Sequence, residues 1–186
     1  ESSPYISQEP ELPEAAALAS ALNRFIGTIR HISPEKHDAK VTLELRGLLQ
    51  EAEVALALSE RRELARRVAG LYVIVDPELT MGRDVQEVTL AALRGGAKAI
   101  QYRDKLRDKG DQLPIAHALR DLCNQHSASF IINDHADLAA ASGAHGLHVG
   151  QHDLSVLEAR RVVYPTQFVG TSNATPEEVQ DSLDHG

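Results

Sequence analysis

One stretch restricts the possible folds more than any other. Between Phe130 and Asp153 the chain reads as a strand, a short helix and a second strand. Ser129–Ile132 is a β-rich apolar run that Asn133 and Asp134 end with polar side chains. Ala136–Ala141 carries helix formers, and Gly143 stops them. Gly146–Gln151 is a second apolar run, closed by Asp153. Strands joined by a helix run parallel, so their C-terminal ends share one edge of a sheet. Asp134 and Asp153 are therefore expected on neighbouring strands, about 5 Å apart across the sheet. Two facing carboxylates beside the Asn133 amide form an oxygen-rich site. Such a site suits Mg²⁺, which takes one or two carboxylates together with substrate phosphates. The competing reading is that each acid only caps the helix that follows it.

The same alternation runs through the rest of this half. Leu71–Val75 is a β-branched run of the kind buried on both faces, and Asp76-Pro77 ends it. Lys98–Tyr102, Phe130–Ile132, Leu147–Val149 and Gln167–Gly170 supply four more strands. Helical patterns fill Asp84–Arg94, Asp111–Gln125 and Ser155–Val163, and Thr175-Pro176-Glu177-Glu178 starts another. Strands alternating with helices predict a parallel α/β fold. The first turn, Asp76–Gly82, lacks the glycine-rich phosphate loop common in open doubly wound sheets. Instead, polar residues gather after every strand: Asp76, then Gln101 with Arg103 and Lys105, Asn133 with Asp134, Gln151 with Asp153, and Ser172 with Asn173. That ring is the mark of a (β/α)₈ TIM-barrel type, of which residues 70–186 hold only the first five βα units.

Residues i, i+2 and i+4 of a strand point to one face, so Gln101, Arg103 and Lys105 project together and Tyr102 and Asp104 point away. One amide and two cations form an anion receptor, with Arg able to grip a phosphate through paired hydrogen bonds. Arg107, Asp108 and Lys109 read as solvated loop. With the two acids, the rim suits a Mg²⁺-diphosphate.

Residues 1–11 read as a tail or linker, and 12–69 as a small all-α region. Leu18, Leu22, Phe25, Ile26 and Ile29 form one amphipathic stripe, and Ser33-Pro34-Glu35 starts a second helix. Ser59 is expected to cap a third, Glu60–Ala69, before Gly70. No chemical constellation stands out in this region. A net charge of −8 without a basic stripe argues against nucleic-acid binding. No apolar run reaches the ~20 residues of a membrane span. The single Cys123 points to a reducing compartment, the cytoplasm.

The order Gln101-x-Arg103-x-Lys105, Asn133-Asp134, Gly146-Leu-His-Val-Gly-Gln-x-Asp153 and Gly170-Thr-Ser172 resembles the thiamine-phosphate synthase family. The resemblance implies a TIM barrel that joins hydroxymethylpyrimidine diphosphate to a thiazole phosphate and releases diphosphate. It implies that Gln101, Arg103, Lys105, Asn133 and Ser172 bind the pyrimidine substrate, with Arg103, Lys105 and Ser172 acting in catalysis. It further implies that Asp134 and Asp153 bind Mg²⁺. The sequence departs from the family pattern at Tyr102, Asp104 and His145, and it lacks the later motifs that hold the thiazole phosphate.

Three alternatives compete with that reading. A related thiazole tautomerase needs no diphosphate site. A zinc module would use His145, His148 and His152 with Asp153. A non-catalytic fragment would only pack or associate. A chain that starts at Glu1 and stops after the fifth helix is expected to belong to a longer polypeptide, or to have its open side covered by a homo-oligomer or by the N-terminal helices.

Overall fold

The computed structural model describes residues 39–185, with Ala21, Leu22 and Ile26 before them. The tail at 1–11, most of the amphipathic stripe and the helix start at Ser33 lie outside the described residues; Leu22 and Ile26 are helical. The chain divides into two units between Glu60 and Arg61. Helix α1 (Ala39–Arg67) begins in the first. Ser59 lies within this helix rather than capping a new one. Serine costs a helix interior only ~0.5 kcal/mol, less than breaking the ladder between the Ala- and Leu-rich turns before it and the Glu- and Arg-rich turns after it.

The second unit carries the sheet. Its elements are β1 (Tyr72–Val75), α2 (Val85–Arg94), β2 (Ala99–Tyr102), α3 (Lys109–Gln125), β3 (Ser129–Asn133), α4 (Ala136–Ser142), β4 (Gly146–Val149), α5 (Val156–Val162), β5 (Phe168–Thr171) and α6 (Pro176–His185). The five strands lie in the order β1-β2-β3-β4-β5, and every neighbouring pair is parallel. A doubly wound sheet reverses its strand order at a switch point. This one never does, which is the order of a (β/α)₈ barrel's first five units.

Helix ends follow the chemistry of their residues. The Asp84 side chain accepts from the amides of Gln86 and Glu87 at the start of α2. Thr175 and Glu178 cap each other at the start of α6, with the Glu178 amide donating to Thr175 Oγ1 at 3.3 Å and Glu178 Oε2 accepting from the Thr175 amide at 3.3 Å. Gly143, at φ +65°, closes α4 in the left-handed region that glycine enters without strain.

The two faces of the sheet differ. Toward the helices, Val75, Ile100, Tyr102, Phe130, Ile132, Leu147 and Val149 bury themselves against Leu93, Leu119, Cys123, Leu138 and Ala159. On the inner face Ala99, Ile131 and Phe168 pack with Leu64, Val68 and Tyr72. Ser129 Oγ donates to the Leu64 carbonyl at 3.1 Å, tying the last turns of α1 to the foot of β3. Toward the strands' C-terminal ends the inner face turns polar, at Gln101, Asn133 and His148.

Candidate active site

Strand pairing sets the polar rim. Val75 pairs with Tyr102, so the next residues, Asp76 and Arg103, leave the sheet side by side. The Arg103 amide donates to the Val75 carbonyl at 3.0 Å, and its guanidinium is ion-paired with Asp76. Gln101 is nearly fully buried; its Oε1 accepts from the Tyr72 hydroxyl at 2.7 Å and its Nε2 donates to Asn133 Oδ1. Lys105 Nζ stands 3.8 Å from Asp134 Oδ2.

The residues pointing the other way hold this loop. The Tyr102 hydroxyl donates to Asp104 Oδ2 at 2.7 Å, and the amides of Leu106 and Arg107 donate to Asp104 Oδ1. Arg107 reaches the same carboxylate at 2.6 Å, and Lys109 bridges to Asp137 at 2.8 Å. Neither cation is therefore simply solvated, as a loop reading of 107–109 expects. Burial disfavours the Asp104 charge, but the bonds from Tyr102, Leu106 and Arg107 outweigh it and hold the carboxyl below its usual range.

At the end of β3, Asp134 adopts φ +62°, a left-handed conformation uncommon outside glycine but tolerated by Asp. Its amide donates to the His148 carbonyl at 2.8 Å. Burial, then hydrogen bonding to Asp153 and the charge of Asp153, push the Asp134 carboxyl above its usual range, with Lys105 and His135 pulling the other way. Asp153 Oδ2 accepts from the Gly150 amide at 2.8 Å. Neither acid caps a helix: α4 starts at His135 without a side-chain cap bond, and α5 is capped by Ser155. The carboxylates of Asp134 and Asp153 stand close enough for the second to disfavour the charge of the first, so the pair is short of positive charge. Their all-oxygen donor set fits a hard cation.

Gln101, Arg103, Lys105, Asn133, Asp134, Asp153 and Ser172 all line one cavity of about 390 Å³ at the strands' C-terminal ends. His148, Gln151 and His152 line it too. His148 Nε2 lies 2.9 Å from Ser172 Oγ; burial pushes its imidazole below the usual range against the pull of Asp134 and Asp153. Gln151 Nε2 donates to the Ser172 carbonyl. The zinc reading does not survive. His145 sits at the opposite end of β4, where its Nδ1 accepts from the Phe130 amide at 2.8 Å, and no three His, Cys, Asp or Glu side chains among the described residues form a metal cage.

The sequence singled out His148 only as a zinc ligand, and it placed Asp76 in the ring of strand-end residues without a specific role. For Asp76 the signal was present, since an acid directly after β1 borders whatever leaves β2. For His148, alternation along β4 places it on the face that holds Asn133, its partner in the register.

A profile of the family described as thiamine monophosphate synthase matches residues 71–186. The chain belongs to that family. It is 36% identical over 143 residues to the thiamine-phosphate synthase of Nostoc sp. (strain PCC 7120), covering 77% of this chain and 39% of that protein. It is 46% identical over 110 residues to the synthase of Methanospirillum hungatei, covering 59% of this chain and 53% of that protein. The solved structure of a thiamine phosphate pyrophosphorylase from Pyrococcus furiosus superposes with a TM-score of 0.61 at 32% identity, over 66% of this chain and 58% of that one. The match thus spans about half or less of the curated relatives' length, and it holds the five strands that frame the cavity.

Proposed function

We propose that this chain carries the pyrimidine-diphosphate half of a thiamine-phosphate synthase, a transferase that joins hydroxymethylpyrimidine diphosphate to a thiazole phosphate. The observation that carries the reading is the single cavity where all seven sequence-predicted residues meet. In the proposed reaction the bond between the pyrimidine methylene carbon and the diphosphate oxygen breaks. The oxygen keeps the electron pair, and the thiazole nitrogen forms the new bond to that carbon. The chemistry needs charge stabilisation at the leaving group more than a strong base.

The residues present match that need. Arg103 and Lys105 are the cations facing the cavity, and they bind and orient the diphosphate. Asn133, fixed through Gln101 and Tyr72, orients the pyrimidine end. Ser172, held beside His148 and Gln151, offers a hydroxyl to the departing oxygens. Asp134 and Asp153 would hold Mg²⁺, which when bound supplies positive charge against the phosphate oxygens. A thiazole tautomerase needs no diphosphate site, whereas two cations and two acids line this cavity together.

The test is turnover by the full-length protein. Incubation with the pyrimidine diphosphate, the thiazole phosphate and Mg²⁺ should release diphosphate and thiamine phosphate in equal amounts. Absence of both products would sink the reading.

A further inference from the structure

We infer that Asp76 is a positioning residue for the reaction, acting through Arg103; this rests on the function proposed above. The Asp76 side chain is 2% exposed, whereas that of Arg103 is 33% exposed and borders the cavity. A buried carboxylate is costly unless it is paired, and Asp76 has two partners. Oδ2 takes the Arg103 guanidinium, and Oδ1 accepts from the Glu78 amide at 3.0 Å. The second bond caps the short 3₁₀ turn Pro77–Leu79 and fixes the carboxylate itself. Asp76 is thus held by β1 and by the turn after it, and it holds the guanidinium at the neighbouring strand end. A free Arg side chain samples many rotamers. Anchoring one edge of the guanidinium removes part of that freedom before substrate arrives.

The carboxylate also opposes the positive charge of Arg103. Asp76 therefore trades anion affinity for geometry. Losing its charge should strengthen ground-state attraction for a diphosphate while loosening the placement on which the leaving group depends. A residue that only capped the Pro77–Leu79 turn would show no such split.

The experiment compares Asp76→Asn, Arg103→Ala and the double variant in the full-length protein, reading kcat and the affinity for inorganic diphosphate with Mg²⁺. In the otherwise wild-type protein, Asp76→Asn should lower kcat about 10- to 100-fold, the scale of a misplaced catalytic group, and tighten diphosphate binding severalfold. On the Arg103→Ala background the same change should have little further effect on kcat, because a residue acting through Arg103 has nothing left to position. Wild-type kcat in Asp76→Asn, or an equal fold-loss on both backgrounds, overturns the inference. If Asp76→Asn does not fold, as judged by circular dichroism, Asp76→Glu replaces it. That variant keeps the charge and should leave diphosphate affinity unchanged while lowering kcat on the wild-type background alone; equal losses on both backgrounds again overturn the role. A wild-type protein that neither binds diphosphate nor forms product removes the proposed function and this role together, so the two failures are told apart.

Discussion

Arg103 reaches the cavity with its guanidinium already tied to Asp76, while Lys105 approaches from the loop that Asp104 braces. Replacing Arg103 by Ala should cut turnover of the full-length protein at least ~10²-fold, as loss of a charge-stabilising donor typically does. An unchanged rate together with unchanged affinity for the pyrimidine diphosphate would rule out the anion site. Asp134→Asn and Asp153→Asn should each raise the Mg²⁺ concentration needed for half-maximal activity; wild-type Mg²⁺ dependence in both would remove them as ligands. His145 contributes at the opposite end of β4. Burial, then the charges of Arg67 and Arg120, lower its pKa from 6.5 to about 4, and its Nδ1 acts as an acceptor that protonation would abolish. The unfolded chain thus binds this proton more readily than the folded one. The contribution is complete above the unfolded pKa and is lost as pH falls from about 6.5 toward about 4. At ~1.4 kcal/mol per pKa unit it is on the order of 3 kcal/mol. Thermal melts should fall across that window, and His145→Gln should flatten the slope.

Among the elements, β4 and β5 meet at a close contact. Gly146 pairs directly with Phe168, and a Cβ on Gly146 would lie 2.4 Å from the Phe168 ring. That ring packs with Ala99 and Ile131 on the inner face, so moving it aside costs those contacts. Gly146→Ala should destabilise the fold by ~1–3 kcal/mol, the usual cost of overpacking. Urea denaturation would read it as a lower midpoint at unchanged slope, and a wild-type midpoint would show that the ring can move aside.

At the scale of the molecule, β1 and β5 are the edges of the described sheet. Ile74, on the cavity side of β1, is 55% exposed. Open edges and uncovered apolar faces promote association. Residues 1–186 should therefore self-associate in solution. Light scattering checks this; a protein that stays monomeric as its concentration rises would refute the expectation.

The strands, their parallel order and the residues at their ends were legible from sequence, because apolar periodicity and terminal polar residues are local signals. Five βα units in chain order leave few ways to connect, so Asp134 and Asp153 were bound to share an edge. What the alternation could not show is which partner each polar group chooses. That Arg103 pairs with Asp76, that Ser155 rather than Asp153 caps α5, and that Arg107 folds back onto Asp104 depend on distances between side chains set by twist and register. The continuous α1 through Ser59 was hidden for a related reason. Serine is a good cap and a cheap interior residue, and the surrounding turns decide between the two. Local chemistry determined which groups stand at the rim of this sheet; only the tertiary structure, through register and burial, decided which of them hold one another and which face the cavity.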